Sequence, residues 1–130
     1  MISAEKSGIF NQFLYTLIRA DIDLKLPDED IEDALEELDF DYISLFHQNA
    51  LEWMKEYNLI DNSLEKLILL LRKKIDTMPK HLWNVESYKH SSEWQEIHKI
   101  AGQVLNFLGI EKRYVDSENF DINSYIRRSL

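Results

Sequence analysis

Four histidines, His47, His81, His90 and His98, are the side chains of this 130-residue chain best suited to bind a metal or move a proton near neutral pH. A helical zinc site places two imidazoles about one turn apart so that both reach a single ion, and no pair of the four is spaced that way. His98, between Glu96 and Lys99, reads as solvated, and His47 as the margin of a helix beside Phe46. Asp28, Asp30 and Glu32 alternate as ligands of a calcium loop do, but no glycine follows where such a loop turns sharply. Paired carboxylates serve as general acid and base only in a pocket that separates their pKa values. Glu93, Glu96 and His98 are the one combination left for a hydrolase, and no serine-nucleophile motif, glycine-rich phosphate loop or dinucleotide fingerprint accompanies them. The absence of cysteine removes disulfides, thiolate nucleophiles and cysteine-based zinc sites, and fits a reducing compartment. The expectation is a protein that is not an enzyme and carries no metal or cofactor.

Acidity is the stronger signal. Residues 21–41 hold eleven acids (Asp21, Asp23, Asp28, Glu29, Asp30, Glu32, Asp33, Glu36, Glu37, Asp39, Asp41) against one base, Lys25, whereas the remaining 109 residues net plus 1 of the chain's total of minus 9. A surface shaped only for solubility mixes signs and gains i,i+4 pairs; a one-signed block repels itself and attracts a cationic surface over about 8 Å in physiological salt. The missing counter-charges imply a partner outside the chain. A pI near 4.8 argues against nucleic acid, whose phosphates are bound by lysine and arginine.

The elements that must carry this charge read as helices. Three glycines and two prolines leave little material for tight hairpins, and 45% apolar residues, with six Phe, six Tyr and three Trp, supply a core. Ile9, Phe10, Phe13, Leu14, Leu17 and Ile18 draw one stripe on a helix from Ser7 to Ala20. Pro27 interrupts, and a second helix begins near Asp28, with Asp28, Glu29 and Asp30 at its positive end and Ile31, Ala34, Leu35 and Leu38 facing inward. Glu29, Glu32, Asp33, Glu36 and Glu37 then line its wet side. After Asp39 the pattern restarts with Tyr42, Ile43, Phe46, Ala50, Trp53, Met54 and Tyr57, closed by Asn58, as a third helix. Asn62 with Glu65 makes a capping box for a fourth helix ending before Pro79, whose all-round apolar run from Leu67 to Leu71 predicts the central position. Pro79 to His90 is irregular. Ser92 with Gln95 caps a fifth helix from about Glu93 to Leu108, ended by Gly109, and Phe120, Ile122, Tyr125 and Ile126 suggest a short last one with Arg127 and Arg128 near its negative end. The reading is an all-α single domain over residues 1–130, a bundle or stacked helix pairs of five to six helices. No secretion signal or membrane span is legible, so a cytoplasmic protein is expected.

In the region from Pro27 to Asn58, the stretch LPDEDIEDALEELDFDYISLF, which starts one residue earlier at Leu26, puts acids and a tyrosine on consecutive helices. In this it resembles the small acidic helical immunity proteins of bacterial contact-dependent inhibition and related polymorphic-toxin systems, over about a quarter of the chain. The chain is longer than the compact four-helix colicin-type inhibitors and lacks their paired adjacent tyrosines. The resemblance implies a monomer or weak dimer that binds a cognate basic toxin, a nuclease domain, and covers its substrate surface with carboxylates. The partner-binding set is then Asp28, Glu29, Asp30, Glu32, Asp33, Glu36, Glu37, Asp39 and Asp41, with Tyr42 as the buried anchor of the interface. Phe40 and Phe46 adjoin the same acids, Phe46 as core. A different class of function remains open, a helical regulatory or adaptor protein that binds another protein through an apolar groove beside Trp83 and Tyr88.

Overall fold

A computed structural model describes residues 2–115. They form six α-helices, α1 (Ala4–Ala20), α2 (Asp28–Leu45), α3 (Gln48–Glu56), α4 (Asn62–Asp76), α5 (Val85–His90) and α6 (Ser92–Phe107), with a 3₁₀ turn at Lys80–Leu82 and no strand. The fold is all-α. The last helix expected around Phe120 to Ile126 lies outside the described residues. No helix among the described residues is long and apolar enough to cross a membrane.

The centre belongs to α1, not to α4 as the apolar run in the latter suggested. Phe13, Leu14, Tyr15, Thr16, Leu17 and Ile18 are buried in succession, which only a helix packed on all sides allows. Thr16 keeps its hydroxyl satisfied in that setting by donating to the Gln12 carbonyl at 2.7 Å. Neighbours α2 and α6 flank α1. In α4 the buried stripe is Leu64, Ile68, Leu71 and Ile75, directed at α6 and α3, while Leu70 stands exposed. Continuous apolarity there overstated the burial, because leucine is also a strong helix former and is tolerated singly at the surface.

The second helix continues through Asp39 and ends only at Leu45. Ile31, Leu35, Leu38 and Tyr42 follow one another at fours and threes, and at about 100° per residue they remain on one stripe with Ala34, so nothing at Asp39 interrupts the register. The break comes at Phe46 and His47. His47 caps α3, its Nδ1 accepting from the Asn49 amide at 3.1 Å, a task its residue type does not advertise. Two further starts sit one residue earlier than expected: the Asp61 carboxylate takes the Leu64 amide at 2.8 Å, and the Ser91 hydroxyl takes the Trp94 amide at 3.2 Å. The segment read as irregular contains α5, whose amide at Ser87 bonds the Asn84 side chain at 2.8 Å.

The expected stops hold. Asn58 and Gly109 both take a left-handed conformation, φ 58° and 75°, and let Leu59 and Ile110 return hydrogen bonds to the Met54 and Leu105 carbonyls at 2.9 Å. Aromatic contacts tie the core. Phe13 meets Phe10 and Phe46 at centroid separations of 5.6 and 5.8 Å, and Trp94 meets Trp83 edge-on at 5.1 Å. The Trp94 indole N–H donates to the Leu82 carbonyl at 2.7 Å, which satisfies its single polar atom inside the core.

Candidate functional site: the outer surface of α2

Burying Ile31, Ala34, Leu35, Leu38 and Tyr42 against the bundle turns most of the remaining positions of α2 outward. Asp28, Glu29, Asp30, Glu32, Asp33, Glu36, Glu37 and Asp39 are all exposed, and Asp41 is half-buried. At about 100° per residue these nine fan over roughly 220° of the helix circumference, a ridge with two acidic flanks rather than one flat face. Asp28, Glu32, Glu36 and Asp39 take one flank, and Asp30, Asp33, Glu37 and Asp41 the other.

Few cations answer them. Lys89 of α5 reaches Asp28 at 2.7 Å, and Arg19 of α1 reaches Asp41 at 3.7 Å. Among the described residues no lysine, arginine or histidine lies at ion-pair distance from Glu29, Asp30, Glu32, Asp33, Glu36, Glu37 or Asp39. Burial pushes the Asp41 carboxyl above the usual aspartate range, Arg19 pulls it back, and Glu37 pushes it up again. The remaining acids of the block, Asp21 and Asp23, are structural. Asp21 binds Arg113 at 3.0 Å, and the Asp23 carboxylate accepts the Lys25 amide at 2.9 Å.

Tyr42 does not stand on this surface. Its ring is buried at 7% exposure, and its hydroxyl donates to Asp76 of α4 at 2.6 Å. Burial first, then the hydrogen bond to Asp76, raises its pKa to about 12. The exposed apolar side chains of α2 are Phe40, at 85%, and Ile43, at 50%, the latter expected in the core. The uninterrupted helical register would have revealed both: Phe40 falls opposite the stripe of Leu38 and Tyr42.

Shallow grooves run along each flank. One of about 350 Å³ lies between Arg19, Leu26, Asp30, Asp33, Glu37 and Tyr114, and one of about 320 Å³ between Leu35, Glu36, Asp39, Lys80 and Trp83. Trp83 thus lines a groove, but Tyr88 does not. Tyr88 is fully buried, donating its hydroxyl to the Arg19 carbonyl at 2.7 Å and accepting the Ile22 amide at 2.9 Å, and burial holds its pKa far above the usual tyrosine value.

His98 is likewise turned inward rather than solvated. Its Nδ1 lies 2.8 Å from the Ala20 carbonyl oxygen and its Nε2 2.8 Å from that of Tyr88, with the Tyr88 ring at 4.4 Å. A carbonyl only accepts, so both contacts are hydrogen bonds when both ring nitrogens carry protons. Beside it, burial raises the Asp21 carboxyl, against the opposing pull of His98 and Arg113. Gly102 makes room for that carboxylate, since a Cβ there would stand 2.9 Å from Asp21 Oδ2. Glu93, Glu96 and His98 do not converge: Glu93 accepts the Ser92 hydroxyl at 2.6 Å, Glu96 pairs with Lys74 at 2.8 Å, and His98 faces the carbonyls. Among the described residues no three His, Asp or Glu side chains gather as metal ligands.

No protein-family model, no curated protein and no solved structure matches this chain.

Proposed function

We propose that this protein is an inhibitor of the immunity-protein kind, which binds a cognate basic toxin, a nuclease domain, and covers its phosphate-binding surface with the carboxylates of α2. The observation that supports the reading is the row of seven acids, Glu29, Asp30, Glu32, Asp33, Glu36, Glu37 and Asp39, exposed on one helix with no cation of the described residues at ion-pair distance. A nuclease must display lysine and arginine to its substrate, and a carboxylate array of opposite sign both attracts that surface and excludes the phosphates. Steering of this kind raises association to roughly 10⁸ M⁻¹s⁻¹ at low salt, so salt slows binding before it speeds release.

Replacing Glu32, Asp33, Glu36 and Glu37 with lysine tests the proposal, because all four are exposed and their loss leaves the core untouched. Titrated against its cognate basic nuclease domain, the variant is expected to lose binding while its circular dichroism stays helical. Unchanged affinity excludes this surface. The second reading, an adaptor, draws on the groove that Trp83 lines with Leu35, Glu36 and Asp39. It predicts that Trp83→Ala weakens partner binding more than the four charge reversals do.

A further inference from the structure

Phe40 and Ile43 are one helical turn apart on α2, close enough for their side chains to form a single apolar knob. Phe40 at 85% is the most exposed large hydrophobic residue among those described, and Ile43, at 50%, comes third after Phe107 at 75%. Of the others, Leu70 and Phe107 are on different helices and Leu24, Tyr57 and Tyr114 lie outside the helices, and scattered single residues of this kind need no explanation. A pair on one exposed helix face is different. Nothing in the helix's packing requires Phe or Ile there, and apolar patches rimmed by polar groups mark interaction sites. The rim is acidic: Glu36 and Glu37 precede Phe40 by four and three positions, and Asp39 precedes Ile43 by four, all exposed.

The rim selects the partner. Phosphate backbones and anionic lipid headgroups are repelled by it. A second copy of this chain, docked about a two-fold axis, would set the same carboxylates against each other. A cationic protein surface gains on both counts, since its charges meet the rim while an apolar depression takes the aromatic ring. We infer that Phe40 and Ile43 are the apolar anchor of the α2 docking surface, and that its partner is a protein presenting an apolar recess rimmed by lysine and arginine. This rests on the proposed reading of α2 as a docking surface and assigns to Phe40 the role that buried Tyr42 does not fill.

Two synthetic probes separate anchor from charge: an amphipathic helical peptide of leucine and lysine, and a control of equal length and charge with serine in place of leucine. Each is titrated into the ¹⁵N-labelled protein, into a Phe40→Ser/Ile43→Ser variant and into the four-acid reversal variant, with circular dichroism confirming the helices. The leucine–lysine peptide is expected to shift amides centred on Phe40 and Ile43, to bind the double-serine variant at least about ten-fold more weakly, and to outbind the control. Equal binding of the two peptides, binding of neither, or no loss in the double-serine variant overturns the anchor. If the acid reversal abolishes binding while the double-serine variant retains it, the anchor fails and the electrostatic docking reading stands. If the acid reversal leaves binding unchanged, the docking reading itself fails. A wild-type dimer that the two serines dissolve assigns the pair to self-association and overturns the inference.

Discussion

Tyr42 shows how one hydroxyl changes the meaning of a side chain. By type and position it looked like an interface anchor among acids; in the structure it is a strut between α2 and α4, donating to Asp76 at 2.6 Å. The consequence appears at alkaline pH. With the folded-state pKa raised to about 12 from an unfolded value near 10, the fold holds a proton that the unfolded chain releases. This contribution is fully present below about pH 10 and is lost as pH rises through about 12. Tyr42→Phe should therefore cost about 1 kcal/mol at neutral pH, the net worth of one half-exposed hydrogen bond, and should flatten the fall in stability across that alkaline window. Urea unfolding of the two proteins at several pH values measures both effects. His98 carries a comparable lesson: its neighbours in sequence are polar and say surface, yet contacts to Ala20 and Tyr88, far apart along the chain, hold the ring inside.

Among the elements, those specified by periodicity were legible and those specified by a single residue were not. The stripes of α1, α4 and α6 could be read because burying one face of a helix imposes its period on the sequence. The closures at Asn58 and Gly109 were legible because few residue types accept a positive φ. What failed was the boundary at Asp39. Phe40 and Asp41 change the composition there but not the spacing, and the true break depends on His47 acting as a cap. Continuity of α2 can be tested with Asp39→Pro. In mid-helix the substitution removes a backbone hydrogen bond and clashes with the preceding turn, so a loss of about 3 kcal/mol or more is expected. At a junction between two helices it would be nearly silent in thermal melts. The candidate site was legible in part for the same reason: the acids flanking the stripe were placed outward correctly, whereas Phe40 and Ile43 emerge as surface residues only once the helix is drawn through.

Taken as a whole, the molecule carries most of its excess charge on one rib, and this sets its response to solvent. Repulsion among the α2 carboxylates is exposed and therefore screened, so raising salt from about 10 mM to about 150 mM should raise the melting temperature by a few degrees, roughly 1 kcal/mol of relief. Asp21 and Asp41 act in the same direction through pH. Burial raises both carboxyls above their unfolded values, so the folded state binds protons more readily and stability increases as pH falls through the folded values, levelling off near the unfolded one. Glu93, lowered by the Ser92 hydroxyl, works in the opposite sense from a fully exposed position. Melts at pH values lowered stepwise from neutrality should show stability rising as Asp21 and Asp41 take up protons in the folded state, and Asp41→Asn should diminish that rise.

The edge-on contact of Trp83 with Trp94, at 5.1 Å, has an optical consequence. Two indoles that close couple their strong ultraviolet transitions and produce a pair of bands of opposite sign, superimposed on the amide spectrum. Helicity judged from a single wavelength will therefore be misjudged in this protein, while the same bands provide a built-in reporter of whether the 3₁₀ turn remains seated on α6.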